Sequence, residues 1–134
     1  MKLHLVNLGY EPNFNKSTTF FLDIDGCLLN HRGHWEGMMD MEPEVLPGVL
    51  DKLNEWKANG DMVIITTARP EATRAVTMAQ LHHVGIYYKV HYRDLLMEIH
   101  AGKRIVVNDA KPDMPETAGH VVLERNSGFE NFPH

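Results

Sequence analysis

The sequence predicts an α/β fold, a mostly parallel sheet with helices on both faces, and three observations carry that expectation. Residues 18–24 (TTFFLDI), 62–66 (MVIIT) and 104–107 (RIVV) are short, nearly continuous apolar runs, the pattern of strands buried on both faces. Residues 48–59 place Val49, Leu50, Leu53 and Trp56 on one helical face, and residues 71–84 read as a second helix. Strands and helices alternate at spacings that suit parallel pairing, because neighbouring parallel strands need a crossover, most often a helix.

Taken in order, residues 2–8 alternate weakly and read as a short strand, and residues 9–17, rich in Gly, Pro and Asn, as a connection. Residues 30–47 hold charged side chains, Met38, Met39, Met41, Gly33, Gly37, Pro43 and Pro47 with no steady period, so a loop or flap is expected there. Gly60 is placed to terminate the 48–59 helix, and Pro70 falls near the first turn of the next one. A short aromatic and apolar piece, 86–90, precedes an expected helix at 94–100, and residues 121–123 read as a last strand.

With 134 residues, 43% of them apolar, the chain suits a single domain spanning 1–134. A net charge of -5 without long blocks of one sign argues against non-specific binding to nucleic acid or anionic membranes. Cys27 is the only cysteine, which excludes an intrachain disulfide and a cysteine zinc site and fits a reducing compartment. No basic-then-apolar leader is visible, and no apolar run reaches the ~18 residues of a membrane span, so a soluble, cytoplasmic protein is expected.

In open α/β sheets, sites form at the carboxyl ends of the strands. The runs here end in Asp23-Ile24-Asp25-Gly26, Thr66-Thr67-Ala68-Arg69 and Asn108-Asp109-Ala110-Lys111. Carboxylates at i and i+2 of an extended run point to the same side, so Asp23 and Asp25 can address one reacting group. One can attack phosphorus while the other protonates the leaving oxygen and later deprotonates water. Gly26 allows a sharp turn and close backbone approach to a phosphate. Asp109 can join Asp23 in holding Mg2+, which offsets the repulsion between carboxylates and an anionic substrate. Thr67 supplies a hydroxyl, and Ala68 and Arg69 open the next helix, whose N-terminal N–H groups suit a phosphate oxygen.

FFLDIDGCLL resembles the first signature of the haloacid dehalogenase-like superfamily, an apolar strand followed by DxDG. IITTAR resembles its second signature, IVVNDAKPD its acidic fourth, and LPGV at residues 46–49 is similar to the segment that opens a helix in many members. The resemblance spans residues 18–113. It implies a Rossmann-like sheet, with Asp23 as nucleophile, Asp25 as general acid and base, Thr67 as phosphate-binding hydroxyl, Asp109 as distal magnesium ligand, and the Asp25 carbonyl as a further ligand. Asp113 resembles the second acid of the GDxxxD form. For the family lysine, Lys111 is favoured because it shares a loop with Asp109, whereas Lys103 precedes the strand; Lys89 lies farther upstream. Where larger relatives carry a cap domain, residues 30–47 leave room only for a flap, so no cap is expected. A homo-oligomer or an extended substrate is compatible with that.

The implied activity is magnesium-dependent hydrolysis of a phosphomonoester, a small phosphorylated molecule such as a nucleotide. Two other readings stand beside it. Arg69 and Arg74 could follow the backbone of a nucleic acid with a 3′-phosphate end, or the domain could bind phosphate or metal without turnover. A dehalogenase is disfavoured, because an acid two residues after the nucleophile suits phosphate esters. Among the nine histidines, His31 with His34 and adjacent His82 and His83 lack a third ligand at recognisable spacing. Cys27 reads as a packed small residue, Thr66 as a strand former, and Trp35 with the flap methionines as lining a substrate mouth or covering the core edge.

Overall fold

A computed structural model describes residues 16–134, so the expected strand at 2–8 lies outside the described residues. Three strands, β1 (Thr19–Leu22), β2 (Met62–Thr66) and β3 (Asp94–Leu96), form one parallel sheet in the order β1-β2-β3. The helices are α1 (His34–Met38), α2 (Val49–Ala58) and α3 (Arg74–His83), the last preceded by a 3-10 turn at Glu71–Thr73. The α/β class with a parallel sheet therefore holds.

Pairing sets Phe20 opposite Val63, Leu22 opposite Ile65, and Ile65 opposite Leu95, so these side chains share one face of the sheet. That face meets Val49, Leu53 and Trp56 of α2 and Leu81 of α3 in a single apolar cluster. The Phe20 and Trp56 rings stack 3.8 Å apart, with Phe132 edge-on to Trp56 at 5.2 Å. Phe129 is buried beside them, and its N–H donates to the Pro47 carbonyl at 2.8 Å, which fastens the C-terminal segment over the start of α2. Gly60 ends α2 as expected. At φ +80° it lets the Gly60 and Asp61 N–H groups bond the Lys57 and Trp56 carbonyls, closing a Schellman motif.

Helices on both faces were expected, and the described helices do not give that. Both crossovers step in the same direction, and right-handed connections then put α2 and α3 on the same side. The two helices touch there: a Cβ at Gly85, just past α3, would sit 3.8 Å from Leu50 of α2. On the other face Phe21 is 53% and Leu96 40% exposed.

Three further expectations are corrected. Residues 94–100 do not form a helix; Asp94–Leu96 is a strand, because the main chain of this segment pairs with β2 and Leu95 fills the core. Residues 104–107 are not a buried strand: among the described residues they pair with no other strand, and Ile105, Val106 and Val107 are 70%, 55% and 89% exposed. A strand-like sequence without a pairing partner has nothing to satisfy its backbone but water. Residues 121–123 likewise form no strand among the described residues, and Val122 is exposed. Among the described residues no helix is long and apolar enough to cross a membrane.

Trp56 is 2% exposed and sits at the centre of the aromatic cluster. Trp56→Ala is expected to cost about 3–5 kcal/mol in urea unfolding. A loss under about 1 kcal/mol would show that the cluster does not hold α2 to the sheet.

Candidate functional site

The site is built on the tight turn that follows β1. The Ile24 carbonyl accepts the N–H groups of Cys27, Leu28 and Leu29 at 3.1, 2.8 and 3.0 Å, while Ile24, Leu28 and Leu29 are themselves buried. The apolar residues of the run are thus sunk into the core, and Asp23 and Asp25 between them remain half-buried at the surface. Gly26 makes the turn at φ +87°, where a side chain is strained, and a Cβ there would lie 3.1 Å from Arg125 Cγ.

The neighbouring strand ends beside it. Thr66 Oγ1 donates to the Leu22 carbonyl at 3.4 Å and is buried, a role in tying β2 to β1. Thr67, 1% exposed, accepts the Arg69 N–H on its hydroxyl at 3.1 Å, and its own N–H donates to the Leu96 carbonyl. Ala68 is exposed at the turn.

Arg69 is the most constrained residue of the group. Its side chain is 3% exposed, and Nε and Nη2 donate to the two oxygens of Asp25 at 2.9 and 2.7 Å. Nη1 donates to Thr77 Oγ1 at 3.1 Å and to Gln80 Oε1 at 2.6 Å. A guanidinium has five N–H donors, so this set of bonds leaves little with which to hold a substrate phosphate. Arg74 in turn makes a two-point ion pair with Glu71.

Asp23 stands in a different environment. Burial pushes its carboxyl above the usual range, partly offset by the Ile24 N–H and by Arg104, whose Nη2 lies 3.7 Å away, while the neighbouring Asp25 raises it further. Burial, with Asp23 beside it, pushes the Cys27 thiol up to about 11, so it remains protonated near neutrality and is no rival nucleophile.

The third expected element does not join them. Asp109 is exposed and paired with Lys111, whose ammonium holds the carboxyl below its ordinary range. Asp113 pairs with Lys16, and Lys103 is exposed. Lys89 lies at the amino end of β2, on the wall of a cavity of about 270 Å³ shared with Lys57, His91 and Arg93, the far end of the strand from Thr67. Among the described residues no three His, Cys, Asp or Glu side chains come together to hold a metal ion. Asp109 is thus not grouped with Asp23 and Asp25, so the expected magnesium ligands are not gathered as these residues stand.

Residues 30–47 leave and rejoin the fold at a closed base, where the Asn30 N–H donates to the Glu44 carbonyl and the Leu46 N–H to the Leu28 carbonyl. Met38 anchors this flap in the core at 2% exposure, whereas Trp35, Met39 and Met41 are exposed. Three polar residues near the carboxylates were not anticipated: Thr77, Gln80 and Arg104. Thr77 and Gln80 did leave a signal, as polar side chains on the stripe of α3 that carries Leu81.

The environment of Asp23 has a consequence for stability. A carboxyl whose folded pKa is raised penalises the fold wherever it is ionised, so Asp23→Asn is expected to stabilise the chelator-treated protein at neutral pH. The side chain is 34% exposed and solvent screens part of the penalty, which limits the gain to at most about 1 kcal/mol. The gain should shrink as pH falls from the raised value and vanish below 3.8, the ordinary value. Melting temperatures of both proteins between pH 3 and 8 check this, and a variant less stable at pH 7 would contradict it. In comparisons with known proteins, no family model, curated protein or solved structure matches the chain, so its site is read from its own chemistry.

Proposed function

We propose that the chain is a magnesium-dependent phosphomonoester hydrolase of the haloacid dehalogenase-like type, working through a covalent aspartyl-phosphate on Asp23 with Asp25 as general acid and base. The observation that carries this reading is the pair of unlike carboxylates at the carboxyl end of β1. Asp25 is clamped through both oxygens by Arg69, whereas Asp23 is bonded by the Ile24 N–H and faces Arg104 at 3.7 Å.

In this reading an Asp23 oxygen attacks phosphorus and the ester bond breaks, the leaving oxygen taking the proton from Asp25. Water then attacks the aspartyl-phosphate and gives its proton to Asp25, releasing phosphate and restoring both carboxyl groups. Each carboxylate oxygen has a second lone pair besides the one facing Arg69, so Asp25 can exchange a proton while the clamp stays in place. Gly26 gives the backbone room beside the phosphate, the Thr67 hydroxyl and the Ala68 amide would bind its oxygens, and Lys111 would balance its charge. Magnesium enters this proposal from the sequence alone. It requires Asp109 to reach Asp23, as the role of Lys111 on the same loop does.

The substrate class favoured is a small phosphomonoester such as a nucleotide. The reading as a nucleic-acid end phosphatase leaned on Arg69 and Arg74, and both guanidinium groups are engaged within the protein. Phosphate release from a panel of phosphomonoesters, with and without magnesium, tests the proposal. Asp23→Asn is expected to lower turnover by at least about a thousandfold without unfolding, and chelation to stop it reversibly. Folded wild type that releases no phosphate from any ester would sink the hydrolase and favour the non-catalytic phosphate- or metal-binding module.

A further inference from the structure

Gln80 lies on α3, 4% exposed, between the Asp25 clamp and the flap. Its two amide atoms face opposite chemistries. Oε1 meets the Arg69 guanidinium at 2.6 Å, and Nε2 meets three carbonyls, those of Gly37 at 2.9 Å, Met38 at 3.3 Å and Asp40 at 2.9 Å. A guanidinium can only donate and a carbonyl only accept, so the orientation of the amide is fixed by its neighbours.

The carbonyls of Gly37 and Met38 belong to the last turn of α1, and those of a final turn have no partner within their own helix. With five residues, α1 is far too short to persist on its own. The Asp40 N–H reaches the Gly37 carbonyl at 3.4 Å from within the flap, and Gln80 adds the hydrogen bonds that tie this end of it to α3, beside the buried Met38. The flap also lies directly on the acid: a Cβ at Gly37 would sit 3.6 Å from Asp25 Oδ1.

We propose that Gln80 is a positioning residue with two linked tasks, its oxygen orienting Asp25 through Arg69 and its amide nitrogen latching the flap over that same carboxyl. The catalytic half rests on the hydrolase reading; the latch does not. Gln80→Leu removes both bonds, whereas Gln80→Glu keeps an acceptor toward Arg69 and turns a second acceptor on the three carbonyls.

Two measurements separate the tasks. In hydrogen exchange, the amides of residues 35–41 should open at least about tenfold faster in both variants, with β2 and α2 unchanged. In turnover, a general acid matters for an alkyl phosphate with a poor leaving group and little for 4-nitrophenyl phosphate. Gln80→Leu should lower kcat on glycerol 2-phosphate by about tenfold or more, with KM and the aryl ester within about threefold, and Gln80→Glu should lower it less. Unchanged exchange in both variants overturns the latch, and equal losses on the two esters overturn the positioning role. If wild type cleaves another alkyl ester of the panel instead, that ester replaces glycerol 2-phosphate; wild type inactive on every ester overturns the hydrolase reading and the positioning role with it, while exchange still decides the latch. Should Gln80→Leu fail to fold, Gln80→Glu carries the exchange test and Thr77→Val, which removes the other acceptor of Arg69 Nη1, carries the leaving-group test.

Discussion

The Arg69 guanidinium, 3% exposed, and the Asp25 carboxylate, 27% exposed, hold each other through two parallel hydrogen bonds, and the local architecture is arranged around keeping that pair satisfied. A charge taken out of water must be paired and hydrogen-bonded, and removing one partner of a buried pair typically costs about 3–5 kcal/mol. The pair joins the turn after β1 to the turn after β2. Nη1 extends it to Thr77 and Gln80 on α3, and Gln80 passes it on to the flap. Four elements are thereby held around one carboxyl group, with the Asp25–Arg69 bond spanning 44 residues of chain. An apolar contact could bring them together, but it could not orient them, because only directional bonds fix where the two oxygens of Asp25 point.

The sheet explains what remains open. Among the described residues, two crossovers in the same direction cover one face and leave β1 at an edge of the sheet, and a strand edge presents a row of backbone groups. In the same molecule Ile105, Val106 and Val107, a β-branched run, are exposed. Both features bear on the proposed magnesium site. Asp109 stands two residues beyond Val107, much as Asp23 follows Leu22. Parallel pairing of 104–107 with this edge of β1 would carry Asp109 to the carboxyl end of the sheet, next to Asp23. The proposed metal chemistry and the pairing of this run are therefore one structural requirement.

Much of this was legible from local pattern. The runs of β1 and β2, the apolar stripe of α2 and the stop at Gly60 depend on neighbours close in sequence, and those parts match. What failed depended on pairing at a distance. Residues 94–100 contain Leu95, Leu96 and Ile99 at helical spacing, and only hydrogen bonds to β2 make Asp94–Leu96 a strand. The 104–107 run has strand composition, yet composition supplies no partner. Asp23 and Asp25 stood out because two acids after an apolar run conflict with burial. Arg69 was also visible, but its partner was not: Asp25 is 44 residues away in the chain, and the guanidinium turns inward to it instead of outward to a substrate. Phe129 and Phe132 entered the core from a segment rich in turn residues, where no periodicity marks a buried side chain.

The contrast between the two carboxylates is what gives the site chemical direction. They leave the same strand two residues apart and would be equivalent in an unfolded chain. Folding gives Asp25 a rigid clamp that fixes both oxygens, and gives Asp23 burial with its nearest cation at 3.7 Å, near the limit of an ion pair. A nucleophile needs an oxygen that is poorly solvated and free to approach phosphorus, and a tightly held carboxylate is hindered from moving to it. A general acid needs the reverse, a fixed position from which a proton travels a short distance to the leaving oxygen. The proposed assignment, attack by Asp23 and proton transfer by Asp25, suits that difference in mobility, whereas the opposite assignment would ask the clamped group to move and the freer one to stay still.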